Sequence, residues 1–149
     1  MYKRILLAYD GSEAGQKALL GAAELAQQLT RPEVHLVAVM PPASAFIGGE
    51  GFVYDKEAED EERRRYAQIL EEGVKRLTGS GHAAQGEVVV GEPVDEIAGY
   101  ARKIGADLIV LGHRHLDSWA ARWWRGSVSK ALIEHAPCNV LVVITKQGG

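Results

Sequence analysis

Five short apolar runs alternate with amphipathic segments along this chain, and this alternation limits its fold more than any other feature. The runs begin near Ile5, Val34, Glu87, Asp107 and Asn139, and most of their residues are Val, Ile, Leu or Ala. Such runs are typical of strands buried on both faces of a sheet. Strands that alternate with helices join through right-handed crossovers into a parallel sheet. The sequence therefore predicts an α/β fold with a five-stranded parallel sheet.

Turn and capping residues set the predicted boundaries. Pro41 and Pro42 stop the second strand, Ser12 can cap the first helix, and Gly105 closes the third helix. The predicted strands are 5–9, 34–40, 87–90, 107–111 (ending at Gly112) and 139–144. Four helices are predicted: the first begins after Ser12, the second covers about 55–77, the third begins at Pro93, and the fourth covers 127–135. The stripe expected to be buried on helix 55–77 is Tyr66, Ile69, Leu70, Val74 and Leu77.

Length and composition are those of one globular domain, residues 1–149. The chain is 25% charged and 46% hydrophobic, with a formal net charge of −3. A slight acidic excess gives no case for nucleic-acid binding, which is marked by clustered basic residues. The longest apolar run is far shorter than the ~20 residues of a membrane span. The single cysteine, Cys138, excludes an intramolecular disulfide. We therefore expect a cytoplasmic protein with no membrane or nucleic-acid partner.

Strand ends are where this fold class binds ligands, at the point where the strand order reverses. Here those ends are Asp10, Met40, Gly91 and Gly112. The segment from Gly112 to Ser127 starts with a glycine after a strand and ends at the opening of a helix. Glycine allows close approach of an anion, and a helix N-terminus attracts negative charge. A phosphate site and a simple turn with a helix cap are equally good interpretations.

Several segments together carry a family resemblance: Lys-Arg-Ile-Leu-Leu-Ala-Tyr-Asp-Gly-Ser at 3–12, Val39-Met40, residues 106–112, Gly126-Ser127-Val128 and residues 136–143. On these segments the chain resembles the universal stress protein family. The resemblance implies a three-layer Rossmann-like fold of the adenine nucleotide alpha hydrolase type. It also implies a small cytoplasmic stress-response module that binds or regulates, and a homodimer joined through the last strand, here Val140–Ile144.

The resemblance also implies a site. Family members that bind ATP carry Gly, two residues, Gly, nine residues, and then Gly followed by Ser or Thr. Residue by residue, this implies Asp10 on the adenine side, Val39 in the adenine pocket and Gly112 at the phosphate turn. It implies Gly126 and Ser127 at the phosphates. The neighbouring candidate residues are Ala8, Leu111, His115 and Val128.

Two departures from that motif affect its phosphate half. His115 stands at the second glycine position, and the interval from Leu116 to Arg125 has ten residues. A side chain strains or blocks a position that needs a positive φ or touches phosphate. We therefore expect nucleotide binding to be weak or absent, with ATP or another adenine nucleotide as the candidate cofactor. The alternative is an enzyme with slow ATPase or phosphotransfer activity. The chain lacks the Walker pattern, and we predict no catalytic residue.

The segment after Gly112 holds further candidates. Trp119, Trp123 and Trp124 either pack onto the domain or form a patch for a protein partner, because Trp and Arg are frequent at binding hot spots. No cysteine pair or acidic cluster lies near His113 and His115 in the sequence, so we predict no metal site. The glycine-rich segment 46–53 is either a flap over the site or a disordered connection.

Overall fold

The fold is an alternation of strands and helices, seen in a computed structural model. The structure describes residues 2–11, 13–29, 31–42, 55–114 and 126–145. Within these ranges the side chains of residues 13, 14, 113, 114, 126–129 and 145 are not described. The strands in these residues are β1 (Arg4–Ala8), β2 (Glu33–Met40), β3 (Ala84–Val90), β4 (Leu108–Arg114) and β5 (Asn139–Thr145). The helices are α1 (Glu13–Gln28), α2 (Lys56–Gly79), α3 (Pro93–Ile104) and α4 (Gly126–His135). The predicted order of elements is confirmed.

The strands form one parallel sheet in the order β3-β2-β1-β4-β5. The chain moves outward from β1 to β3 and then crosses back to add β4 and β5 on the other side. Ala8 pairs with Val37 of β2 and with Leu111 of β4, so β1 lies at the centre. The predicted five-stranded parallel α/β fold is confirmed, and the strand order reverses between β1 and β4.

Alternating side chains of the strands build one apolar layer on each face of the sheet. On one face Ile5, Leu7 and Tyr9 pack with buried residues of α1 and α2. On the other face Leu6 and Ala8 pack with buried residues of α3 and α4. Burying one large apolar side chain stabilises a fold by about 1.5–3 kcal/mol, so two such layers favour helices on both sides.

The stripe predicted on α3 (Val94, Ile97, Ala98 and Ala101) is buried, and on α1 the predicted Leu25 and Leu29 are only partly buried. On α1 the alanines 18, 22 and 26 are buried against the sheet. α3 begins at Pro93 and is capped by the carboxylate of Glu92, which accepts hydrogen bonds from the amides of Val94 (3.0 Å) and Asp95 (3.3 Å). It ends before Gly105, as predicted. The predicted cap at Ser12 lies outside the described residues.

α2 approaches the sheet more closely than its sequence pattern indicates. Its buried residues are Tyr66, Leu70, Gly73 and Leu77, and the predicted Ile69 and Val74 are partly buried. A methyl group at Gly73 would lie 2.7 Å from Cε1 of Tyr9 and 2.8 Å from Cδ2 of Leu36. Only glycine fits at this contact without displacing its neighbours.

Two strands extend two or more residues beyond their predicted ends, and β2 and β5 are each longer by one residue. β3 begins at Ala84, because its backbone pairs with Val34 at the start of β2. β4 does not end at Gly112 but continues to Arg114, because β5 runs alongside it and Gly112 pairs with Val143. In both cases pairing with a neighbouring strand, and not the apolar pattern, sets the end. Within the described part of the chain, no helix is long and apolar enough to cross a membrane.

Candidate functional site

The candidate site lies where the strand order reverses. β1 and β4 are neighbours, but the helix that follows β1 packs on one face of the sheet and the helix that follows β4 packs on the other. The two connections diverge, which opens a crevice outside the carboxyl ends of these strands. Because Ala8 pairs with Leu111, the residues that follow them, Tyr9 and Asp10 after β1 and Gly112 in β4, lie at the same carboxyl edge of the sheet. The structure therefore brings Asp10 and Gly112 together at one edge of the sheet.

Three more of the predicted site residues lie near the carboxyl ends of the three central strands, with Val39 two residues beyond the partner of Ala8. Ala8, Val39 and Leu111 belong to adjacent strands and face the α3–α4 layer. Their exposed fractions are 6%, 1% and 2%. Side chains buried this deeply shape an apolar floor but donate no hydrogen bond to a ligand.

The turn after β1 is fixed by its contact with α2. Gly11 has φ +77°, and a methyl group on it would lie 2.7 Å from Cγ2 of Ile69. Both observations require glycine, because other residues rarely adopt that φ and no space remains for a Cβ atom. Asp10 is half-buried immediately before this turn. The Gly11 turn therefore fixes the path of the backbone directly after Asp10.

Tyr9 links the same turn to two helices. Its hydroxyl accepts a hydrogen bond from Nε2 of Gln16 at 2.6 Å, and Arg76 donates to Oε1 of Gln16. Burial raises the pKa of the Tyr9 phenol, so this group is neutral at physiological pH. The sequence did not predict this contact, because Gln16 and Arg76 are 60 residues apart and share no local pattern.

Tyr66 of α2 lies close enough to Asp10 for the charge of its carboxylate to act on the Tyr66 phenol. Burial raises the pKa of the Tyr66 phenol, and the negative charges of Glu62 and Asp10 act in the same direction. The guanidinium carbon of Arg65 lies 5.8 Å from the centre of the Tyr66 ring. α2 therefore forms a wall of the crevice that carries two charged groups and a neutral phenol.

The start of α4 lies on the opposite side. β4 and β5 are parallel, so the helix that joins them runs back across the sheet and its first turn lies at the carboxyl edge. Gly126 is its first residue, and first-turn N–H groups have no partner within a helix. At the other end of α4, Nη2 of Arg102 donates to the carbonyl of His135 at 3.1 Å.

Several predictions fall outside the described residues. These are the ones made for His115, for the side chains of Ser127 and Val128, for Trp119, Trp123 and Trp124, and for segment 46–53. Among the residues that the structure does describe, no group of three or more His, Cys, Asp or Glu side chains could hold a metal ion.

A separate open pocket of about 420 Å³ lies at the amino edge of the sheet, between β2, β3 and the end of α2. One of its lining residues is Glu33, whose Oε2 is 3.4 Å from Nε2 of the buried His35. None of the predicted site residues lines it, and it is at the edge opposite to the crevice. The pocket lining is Glu33, Val34, Thr78, Ala83, Ala84 and Gln85.

Solved structures with this fold include two with adenine nucleotides. A universal stress protein in complex with cAMP matches with a TM-score of 0.67 and 24% identity, over 97% of this chain and 98% of that one. The universal stress protein from Archaeoglobus fulgidus in complex with dAMP matches with a TM-score of 0.68 and 24% identity, over 95% and 98%. At this identity the likeness shows the fold alone.

Nearer relatives show the family. The sequence matches the profile of the universal stress protein family over residues 1–143. Universal stress protein YxiE of Bacillus subtilis is 30% identical over 148 residues, which are 96% of this chain and 99% of YxiE. A universal stress protein family structure from Burkholderia pseudomallei has 30% identity and a TM-score of 0.74, over 95% and 96% of the two chains. The chain belongs to the universal stress protein family.

Proposed function

We propose that this protein is a small regulatory binding module whose crevice binds an adenine mononucleotide weakly and ATP more weakly still. The observation that carries the proposal is the convergence of Asp10, Gly112 and the start of α4 at the reversal of strand order. Open parallel α/β sheets bind ligands at this position. The cAMP and dAMP complexes of proteins with the same fold support an adenine ligand. We place the module in the reducing cytoplasm, in keeping with its single cysteine.

The adenine half of the crevice is formed by the ends of the three central strands. Val39, Ala8 and Leu111 give it an apolar floor. The carboxylate of Asp10 is the polar group at its edge, and carboxylates accept hydrogen bonds from amino and hydroxyl groups. An apolar floor with one acceptor suits the flat adenine ring and its attached ribose.

The phosphate half favours a short phosphate chain. One phosphate group can be held by the first-turn N–H groups of α4 together with Ser127. A triphosphate needs more of the Gly112–Gly126 segment, where His115 replaces a glycine of the family motif and the spacing is one residue longer. The proposal therefore predicts that AMP binds more tightly than ATP.

Thermal unfolding with added ligand tests this proposal. AMP at 100 times its dissociation constant should stabilise the protein by about 2.7 kcal/mol, and magnesium-ATP at the same concentration should stabilise it less. Asp10→Asn should abolish the AMP shift, whereas Glu24→Gln, an exposed control on α1, should keep it. His115→Gly should increase the shift with ATP.

The same assay can overturn the proposal. No shift at millimolar AMP, or an equal shift in Asp10→Asn, would remove the nucleotide function. Phosphate release from magnesium-ATP above the rate in buffer would support the enzyme alternative instead.

We also propose that the protein forms a homodimer through Val140–Ile144. Among the described strands β5 is an outer one, and its Leu141 and Ile144 are 40% and 65% exposed. Exposed apolar side chains on an unpaired strand edge favour pairing with another chain. Sedimentation should show a dimer that Ile144→Lys converts to a monomer, whereas Gln68→Lys on α2 should remain dimeric. A monomeric wild-type protein would contradict this proposal.

A further inference from the structure

We propose that Ile69 of α2 is a positioning residue for the crevice. Ile69 holds the Gly11 turn, and thereby Asp10, in the arrangement that binds ligand. The inference rests on the proposed function, since it concerns the affinity of the same site. Ile69 acts through Gly11 and does not itself need to touch the ligand.

The first observation is the contact between Ile69 and the turn. Cγ2 of Ile69 lies 2.7 Å from the position that a Cβ atom on Gly11 would take, so the two atoms would overlap. Ile69 is partly buried and packs against the apolar layer that contains Tyr9. The turn is therefore closed on its α2 side by a stiff, β-branched side chain.

The second observation is that α2 holds the residues on both sides of Asp10. Gly73 lies against the ring of Tyr9, and Arg76 donates to Gln16, which donates to the Tyr9 hydroxyl. Residues 69, 73 and 76 are spaced so that they share one face of the helix. One rigid element thus contacts Tyr9 before Asp10 and Gly11 after it.

The third observation concerns the other end of α2. None of the residues from Lys56 to Arg65 is buried, so about 15 Å of helix extends from the packed part toward the crevice side. Coupling between two sites is reciprocal. A ligand at Asp10 should therefore alter α2, and whatever fixes the exposed half of α2 should alter ligand affinity.

Three variants of the full chain test the positioning role with AMP as the probe. Ile69→Ala removes Cγ2 and should weaken AMP binding about fivefold or more. Ile69→Val keeps both Cγ atoms and should restore affinity to within about twofold of wild type. Val74→Ala is the control, because Val74 is partly buried in the same layer but lies about one and a half helical turns beyond Ile69 along α2. Equal affinity in Ile69→Ala and Val74→Ala would overturn the inference.

A second measurement separates this inference from the proposed function. If wild-type protein does not bind AMP, the proposed function fails, and the contact is judged from melting temperatures alone. Gly11→Ala should lower the melting temperature less in the Ile69→Ala background than in wild type, because the clash is gone while the cost of φ +77° is unchanged. Additive changes would show that Ile69 does not hold the turn.

Discussion

Gly73 and Gly99 both lie inside helices, and their replacement by alanine should change stability in opposite directions. Gly99 on α3 is exposed, and a methyl group there meets no atom within 4 Å. Gly99→Ala should therefore raise the free energy of unfolding by about 0.8–1.0 kcal/mol through helix propensity alone. At Gly73 the same methyl group would lie 2.7 Å from Cε1 of Tyr9 and 2.8 Å from Cδ2 of Leu36. Overpacking of this kind costs about 1–3 kcal/mol and offsets the propensity gain.

Urea unfolding followed by circular dichroism measures the difference. The two variants should differ by about 1–3 kcal/mol, with Gly99→Ala the more stable and the slopes of the two transitions equal. In thermal melts each kcal/mol corresponds to about 2–4 °C for a chain of this size. If Gly73→Ala is as stable as Gly99→Ala, α2 does not pack on Tyr9 at the distance described. That result would also weaken the case for α2 as a wall of the crevice.

Tyr9→Phe removes the hydrogen bond with Gln16 and should lower the free energy of unfolding by about 1 kcal/mol at neutral pH. Burial raises the folded-state pKa of Tyr9 above 10.0. The contribution of the neutral phenol to the free energy of unfolding is therefore complete below pH 10.0 and is lost as the pH rises through the folded-state pKa. Over that range, stability should decline less steeply in the Phe variant. The hydrogen bond with His35 lowers the folded-state pKa of Glu33 below 4.5. The contribution of the Glu33 carboxylate to the free energy of unfolding is therefore present above pH 4.5 and is lost as the pH falls through the folded-state pKa. Glu33→Gln should therefore flatten the acid side of the stability profile, and an unchanged profile would contradict the pairing. Glu92→Ala removes the cap of α3 and should cost about 1 kcal/mol in thermal unfolding.

Buried strands and amphipathic helices were predictable, because each needs a run of apolar residues that is visible within one segment. β3 was only half predicted, since Ala84, Gln85 and Gly86 have no apolar pattern and extend the strand through pairing with β2. The close contact at Gly73 was missed for a related reason. A glycine has no side chain to contribute to an apolar stripe, and its role depends on Tyr9 in another element.

The candidate site was predictable in part as well. Asp10 and Gly112 meet because parallel strands bring their carboxyl ends to one edge, and that rule follows from the order of elements. The α2 wall was not predictable, because Ile69 reaches the Gly11 turn, and Arg76 reaches Gln16 of α1, across about 60 residues of chain. Contacts at that separation are set by how the helix lies on the sheet and leave no periodic signal.

The central position of β1 has a consequence during protein synthesis. Of the five strands that the structure describes, β1 is made first, but one of its two neighbours, β4, is made fourth, and Ile5 must wait for Leu108. Until then one edge of an almost wholly apolar strand has no partner. Parallel pairing over such a separation folds slowly and exposes the chain to aggregation. The nascent protein should therefore depend on chaperones until β4 has been translated.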